Sequence, residues 1–138
     1  MGWLMARLVA FLALLAMPPA FSAGPQTTIL PSGITVETYR VGEAGSPPTL
    51  ADVVRVHYQG TLADGKEFDS SYSRGRPTEL PLEALIPCWQ EVLQQMKPGG
   101  AVRIVCPPET AYGSRGVAGK IPPDSTLNFV IELLEVKR

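Results

Sequence analysis

The chain has 138 residues, enough for one domain and little more. Charged residues make up 18% and the formal net charge is −1. That balance supplies no basic stripe of the kind a nucleic-acid surface needs, so nucleic acid is not expected as a partner.

Met1 to Arg7 carries a single cation, Arg7, and Leu8 to Met17 is an uncharged apolar run. Pro18, Pro19 and the small residues Ala20, Ser22, Ala23 and Gly24 follow. This order of n-region, h-region and small residues is that of a secretory signal peptide. The run is short for a membrane span, which needs about 20 apolar residues. Counting Trp3 to Phe21 as one segment leaves an uncleaved anchor as the lesser alternative. The expected compartment is therefore outside the cytoplasm, and in a bacterium the periplasm. Export would place Cys88 and Cys106, the only cysteines, in an oxidising environment where a pair persists as a disulfide. The alternative is two small buried apolar residues.

Gly24 to Thr28 reads as a tail. Ile34 to Val41 alternates as a strand does, and Val53 to Leu62 is the clearest strand of the chain. There Val54, Val56 and Tyr58 share one face, while Arg55, His57 and Gln59 share the other. Asp64-Gly65 signals a hairpin, with a short strand over Lys66 to Phe68. Ser70 to Pro77 reads as a polar loop and Glu79 to Leu82 as a brief strand. The period then changes: Leu85, Trp89, Leu93 and Met96 recur at helical spacing, with Val92 beside them. Pro87 suits the first turn of that helix, and Lys97-Pro98-Gly99-Gly100 ends it. Ala101 to Cys106 is another strand. Pro107 to Pro123 is a long loop, and connections of that length are usually functional. Thr126 to Lys137 alternates, with Leu127, Phe129, Ile131 and Leu133 on one face. Strands, one helix and two more strands predict an α+β domain with the helix laid across an antiparallel sheet.

Three sets of residues together resemble the FKBP family of peptidyl-prolyl isomerases. They are Val56-His57-Tyr58-Gln59-Gly60-Thr61-Leu62 with Asp64-Gly65 and Phe68-Asp69-Ser70-Ser71; Ile86-Pro87-Cys88-Trp89; and Ala111-Tyr112-Gly113, Ile121-Pro122-Pro123 and Thr126 to Leu134. They occur in order and cover roughly Ile34 to Val136. The Ile-Pro-Cys-Trp form and Cys106 are similar to exported bacterial members of the macrophage infectivity potentiator type. Those usually carry a helical dimerisation arm. Gly24 to Pro31 is too short for one, so a monomer is expected. The export pattern gives a signal peptide over 1–23 followed by a tail over 24–33, and the resemblance implies an isomerase domain over 34–138. It also implies a twisted antiparallel sheet wrapped around a single amphipathic helix.

The resemblance further implies a half-open apolar pocket floored by Trp89. Tyr58, Phe68, Leu85, Ile86, Ile121 and Phe129 would bind substrate, and Asp69 and Tyr112 would act on it. The partners implied are proline-containing segments of folding proteins and macrolide inhibitors. Thr78-Glu79-Leu80 lacks the aromatic residue often found there, Val117 and Lys120 stand where bulkier or more apolar groups are common, and Leu85 replaces a more usual valine. These departures bear on macrolide affinity more than on catalysis. Rotating an X-Pro bond needs no nucleophile, metal or cofactor, only a site that favours the twisted amide.

Two rival readings come from the residues themselves. His57, Asp69 and a serine would compose a hydrolase triad, but no Gly-x-Ser-x-Gly elbow accompanies them. One histidine and two separated cysteines do not make metal-ligand spacing. The stronger rival is a non-catalytic proline-binding or chaperone module, which would use the same walls and differ only in turnover.

Overall fold

The computed structural model describes residues 24–138, so the expected signal segment, 1–23, lies outside the described residues. Seven strands, all paired antiparallel, form one sheet in the order β1-β2-β6-β7-β3-β4, with β5 also paired to β3. The strands are β1 (Gln26–Ile29), β2 (Thr35–Arg40), β3 (Val53–Leu62), β4 (Glu67–Ser70), β5 (Thr78–Pro81), β6 (Ala101–Cys106) and β7 (Leu127–Lys137). One edge of β3 pairs with β7 along its whole length. The other is shared, β5 taking Val53 to Val56 and β4 taking Gln59 to Thr61.

The period-2 pattern of β3 sets which face is inside. Val54, Val56 and Tyr58 are buried, as are Leu127, Phe129, Ile131 and Leu133 across the ladder on β7. Helix α2 (Pro87–Leu93) lies on that face and buries Cys88, Trp89, Val92 and Leu93. Pro87 occupies the first helical position, where its missing N–H costs nothing. Each fully buried aliphatic of this layer, such as Val56, Leu93 or Ile131, contributes about 1.5–3 kcal/mol.

Four segments differ from expectation. The tail expected over 24–33 contains β1, which pairs with β2 from Gln26–Thr38 to Ile29–Thr35. All four β1 residues are exposed, so no in-and-out alternation betrays the strand. The polar loop over Ser70 to Pro77 contains a second short helix, α1 (Ser71–Arg74). The Ser70 side chain accepts the Ser73 N–H at its start, and left-handed Gly75 closes it. The brief strand ends at Pro81, and Leu82–Ala84 turn as a 3₁₀ helix into α2.

The long loop is also more ordered than expected. Pro108–Thr110 form a 3₁₀ turn, and Val117 and Ile121 exchange both backbone hydrogen bonds at 2.8 Å. Gly116 permits this closure: its φ is +60°, and a Cβ there would lie 2.3 Å from the Ile121 carbonyl oxygen.

Cys88, in the first turn of α2, and Cys106, the last residue of β6, are joined by a disulfide with their Cα atoms 5.9 Å apart. Both are fully buried. Closing a loop of this size stabilises the fold by about 3 kcal/mol, mainly by restricting the unfolded chain. Urea unfolding with excess reductant should therefore give an unfolding free energy lower by about 3 kcal/mol than under oxidising conditions. Identical transitions would show that the cross-link contributes nothing.

Candidate functional site

Helix α2 is short and leaves part of the inner face of the sheet uncovered. The gap is a cavity of about 320 Å³ lined by Tyr58, Phe68, Asp69, Leu80, Ala84, Leu85, Ile86, Trp89, Tyr112 and Phe129. Tyr58 comes from β3, Phe68 and Asp69 from β4, Phe129 from β7, Trp89 from α2, and Tyr112 from the long loop.

Trp89 is 3% exposed and forms the floor. It meets Tyr58 edge-to-face at 5.2 Å between ring centroids and Phe129 at 5.3 Å, and Phe129 meets Phe68 at 5.7 Å. Such pairs add about 0.5–1.5 kcal/mol each beyond burial and fix the ring planes. The indole N–H is buried and has no hydrogen-bond partner among the described residues. Gly60 makes the arrangement possible, since a Cβ there would lie 2.6 Å from Phe68 Cζ and 2.8 Å from Phe129 Cε1.

One charged network borders this apolar surface. The Tyr58 hydroxyl donates to Asp69 Oδ2. Arg74 Nη1 donates to Asp69 Oδ1 at 2.6 Å, and Arg74 Nη2 donates to the Tyr58 hydroxyl at 3.1 Å and to Thr78 Oγ1 at 3.0 Å. The Arg74 guanidinium also lies over the Tyr58 ring, 5.7 Å from its centroid. Burial by itself would raise the Asp69 carboxyl, but the hydrogen bonds from Tyr58 and Arg74 and the Arg74 charge outweigh it and hold the carboxyl below its ordinary range. Burial, then the hydrogen bond to Asp69, raises the Tyr58 hydroxyl, which therefore stays protonated and donates. Burial and the Asp69 charge raise the Tyr112 hydroxyl as well. Tyr112 is 41% exposed at the cavity mouth. The Ile86 N–H, just before α2, has no backbone acceptor among the described residues.

Ile121 does not line this cavity. It is 5% exposed, turned inward by its bridge to Val117, and it borders the adjoining groove. His57 lies on the opposite face of β3 from Tyr58, away from Asp69. Its Nδ1 is 2.8 Å from Ser71 Oγ, but Ser71 is fully buried and its hydroxyl accepts the Tyr58 N–H at 2.7 Å. A serine so enclosed is a structural clasp and not a nucleophile. A second cavity, of about 330 Å³, lies behind α2 near Val36, Val92, Met96 and Val102; it has no aromatic wall and no carboxylate.

Residues 45–134 match the family model described as FKBP-type peptidyl-prolyl cis-trans isomerase. The chain belongs to the FKBP-type peptidyl-prolyl cis-trans isomerase family. It is 54% identical over 101 residues to FkpA of Escherichia coli K12, covering 72% of this chain and 37% of that protein. It is 43% identical over 114 residues to the isomerase Mip of Coxiella burnetii, covering 83% and 49%. The crystal structure of E. coli FkpA superposes with a TM-score of 0.77 at 48% identity, covering 80% of this chain and 51% of that one. An isomerase from Pseudomonas syringae pv. tomato superposes with a TM-score of 0.76 at 35% identity, covering 84% of both. The chain thus spans about a third to a half of the curated relatives it matches.

Within this FKBP-type domain, sequence reasoning missed Arg74 and Ala84, and marked Leu80 only as part of a stretch without the family's aromatic residue. Arg74 was hidden in the supposed loop, although Ser70 and Gly75 bracket it with the signals of a helical start and stop. Leu80 lies on β5, where it and Thr78 are more enclosed than Glu79 and Pro81, a two-residue alternation readable in the sequence.

The Asp69 network predicts a pH dependence. A carboxyl with a depressed folded-state pKa contributes stability that is full above the unfolded value and lost as pH falls through the folded one. The parent should be more stable than Asp69→Asn by about 1 kcal/mol or less at about pH 6, because the Asp69 and Arg74 side chains are 34% and 43% exposed and screened. That margin should shrink as pH falls to about 2. A difference independent of pH in urea titrations would contradict the ionised network.

Proposed function

We propose that this protein is a peptidyl-prolyl cis-trans isomerase acting on proline-containing segments of exported proteins while they fold. The observation that carries this reading is the pairing of an aromatic-floored cavity with one oriented carboxylate at its wall. Such a site has apolar surface for a pyrrolidine ring and no exposed serine nucleophile beside the histidine.

An X-Pro bond rotates over a barrier of about 18–20 kcal/mol because resonance stiffens the C–N bond. Uncatalysed exchange takes tens to hundreds of seconds. Trp89, Phe68 and Phe129 hold the proline ring, and Tyr58, Leu85 and Ile86 complete the walls. Enclosure strips water from the amide oxygen and so weakens the charge-separated planar form relative to the twisted one. The Ile86 N–H and the Tyr112 hydroxyl hold substrate carbonyls. Asp69, kept ionised by Arg74 and Tyr58, faces the carbonyl carbon of the rotating amide. Contacts made better by the twisted state than by either planar isomer lower the barrier.

Leu80 supplies an aliphatic wall beside Thr78, so a macrolide inhibitor meets less aromatic surface there than in members with an aromatic residue. The apolar run Leu8 to Met17 and the Cys88–Cys106 disulfide support export.

The test is cis-to-trans relaxation of short X-Pro peptides with residues 24–138. The parent should accelerate relaxation, and Asp69→Ala should lower kcat/KM by about tenfold, equivalent to about 1.4 kcal/mol of transition-state stabilisation. Tyr112→Phe, which removes one hydrogen bond, should cost about threefold. A folded parent that leaves relaxation unchanged would overturn the enzyme and favour a proline-binding or chaperone module.

A further inference from the structure

The loop that carries Tyr112 borders a second feature. From Arg115 to Pro123 it forms one side of an open groove of about 460 Å³, and Leu62 and Lys66 of the β3–β4 hairpin form the other. Three exposed cations, Lys66, Arg115 and Lys120, line this groove, and no carboxylate does. The ion pairs among the described residues engage Arg40, Arg55, Arg74, Lys137 and Arg138, so the three groove cations belong to none of them. Asp64 and Asp124, from the same hairpin and loop, line a separate groove with Leu62 and Pro122. Asp64 also accepts the Lys66 backbone N–H at 2.9 Å. The chain as a whole carries a net charge of −1, so the positive excess is local to this groove.

The position of the groove relates it to the proline cavity. Tyr58, Gly60 and Leu62 share one face of β3; Tyr58 lines the cavity and Leu62 lines the groove. Four residues of strand separate them by about 13 Å. Phe68 and Phe129, packed over Gly60, lie between the two. An extended peptide rises about 3.3 Å per residue, so about four residues bridge that distance. A substrate with its proline in the cavity, running toward the hairpin, therefore lays a side chain three to five positions away over the cations.

We propose that Lys66, Arg115 and Lys120 form a substrate subsite that favours acidic residues about three to five positions from the reacting proline. This rests on the isomerase reading above and adds a specificity to it. The cations are exposed, so the attraction acts through solvent, is modest, and is screened by salt.

The experiment compares otherwise identical X-Pro peptides bearing Glu, Gln or Lys about four positions from the proline, on either side of it. On at least one side, kcat/KM for the Glu peptide should exceed that for the Lys peptide by about threefold at low ionic strength. The ratio should fall toward unity in about 0.5 M salt. The Lys66→Gln/Arg115→Gln/Lys120→Gln variant should lose the ratio while turning over the Gln peptide at the parental rate. Equal rates on Glu and Lys peptides, or a preference the triple variant retains, would overturn the subsite and leave the isomerase standing. A folded protein that turns over none of the peptides would overturn both.

Discussion

The site depends on the contact of Trp89 with the sheet. Its indole stands edge-on to Tyr58 of β3 and Phe129 of β7, two strands paired along their full length. One side chain thereby anchors α2 and floors the cavity, so fold stability and site geometry share the same contacts. Phe129 and its neighbour Phe68 in turn need a position on β3 without a side chain, and Gly60 provides it. The disulfide then ties the first turn of α2 to the end of β6, where the loop carrying Tyr112 begins. Floor and mouth are thus linked covalently as well as by packing.

Around that apolar centre the polar groups divide by the face of β3 on which they lie. On the inner face, Tyr58, Asp69 and Arg74 form a bonded set at the cavity rim, with the carboxylate ionised and partly open to solvent. On the outer face, His57 stacks on Tyr72 at 4.6 Å and closes over a buried serine. Residues that would compose a hydrolase triad on paper are separated by the strand itself. What is left facing the cavity is apolar and aromatic surface with one carboxylate, without the exposed serine–histidine pair that triad hydrolysis needs.

Much of this was legible in the sequence because burial writes a period. Val53–Leu62 and Ala101–Cys106 have the bounds the alternation predicts, and Pro87 marks the start of α2. The family motifs placed Trp89, Asp69 and Tyr112 near one another, and all three border one cavity. The rest lacked a periodic signal. Strand β1 is exposed on both faces and pairs with β2 in its ladder. Helix α1 has four residues, too few for a helical stripe, and it carries Arg74, which holds the carboxylate. Ile121 borders the adjoining groove, held there by a backbone bridge inside the loop that no residue type announces. Whether Cys88 and Cys106 meet depends on how α2 lies on β6, a tertiary fact.

The central claim is that this cavity rotates the bond of the proline it binds. Magnetisation-exchange NMR on a short X-Pro peptide tests it directly. The peptide alone exchanges over tens to hundreds of seconds and gives no cis–trans exchange signal. With a small fraction of the protein present, exchange should become measurable on a timescale of about a second, and excess peptide should saturate the effect. Peptide signals that shift on binding while cis and trans stay unexchanged would contradict the account, and would make the cavity a proline-binding site without catalysis.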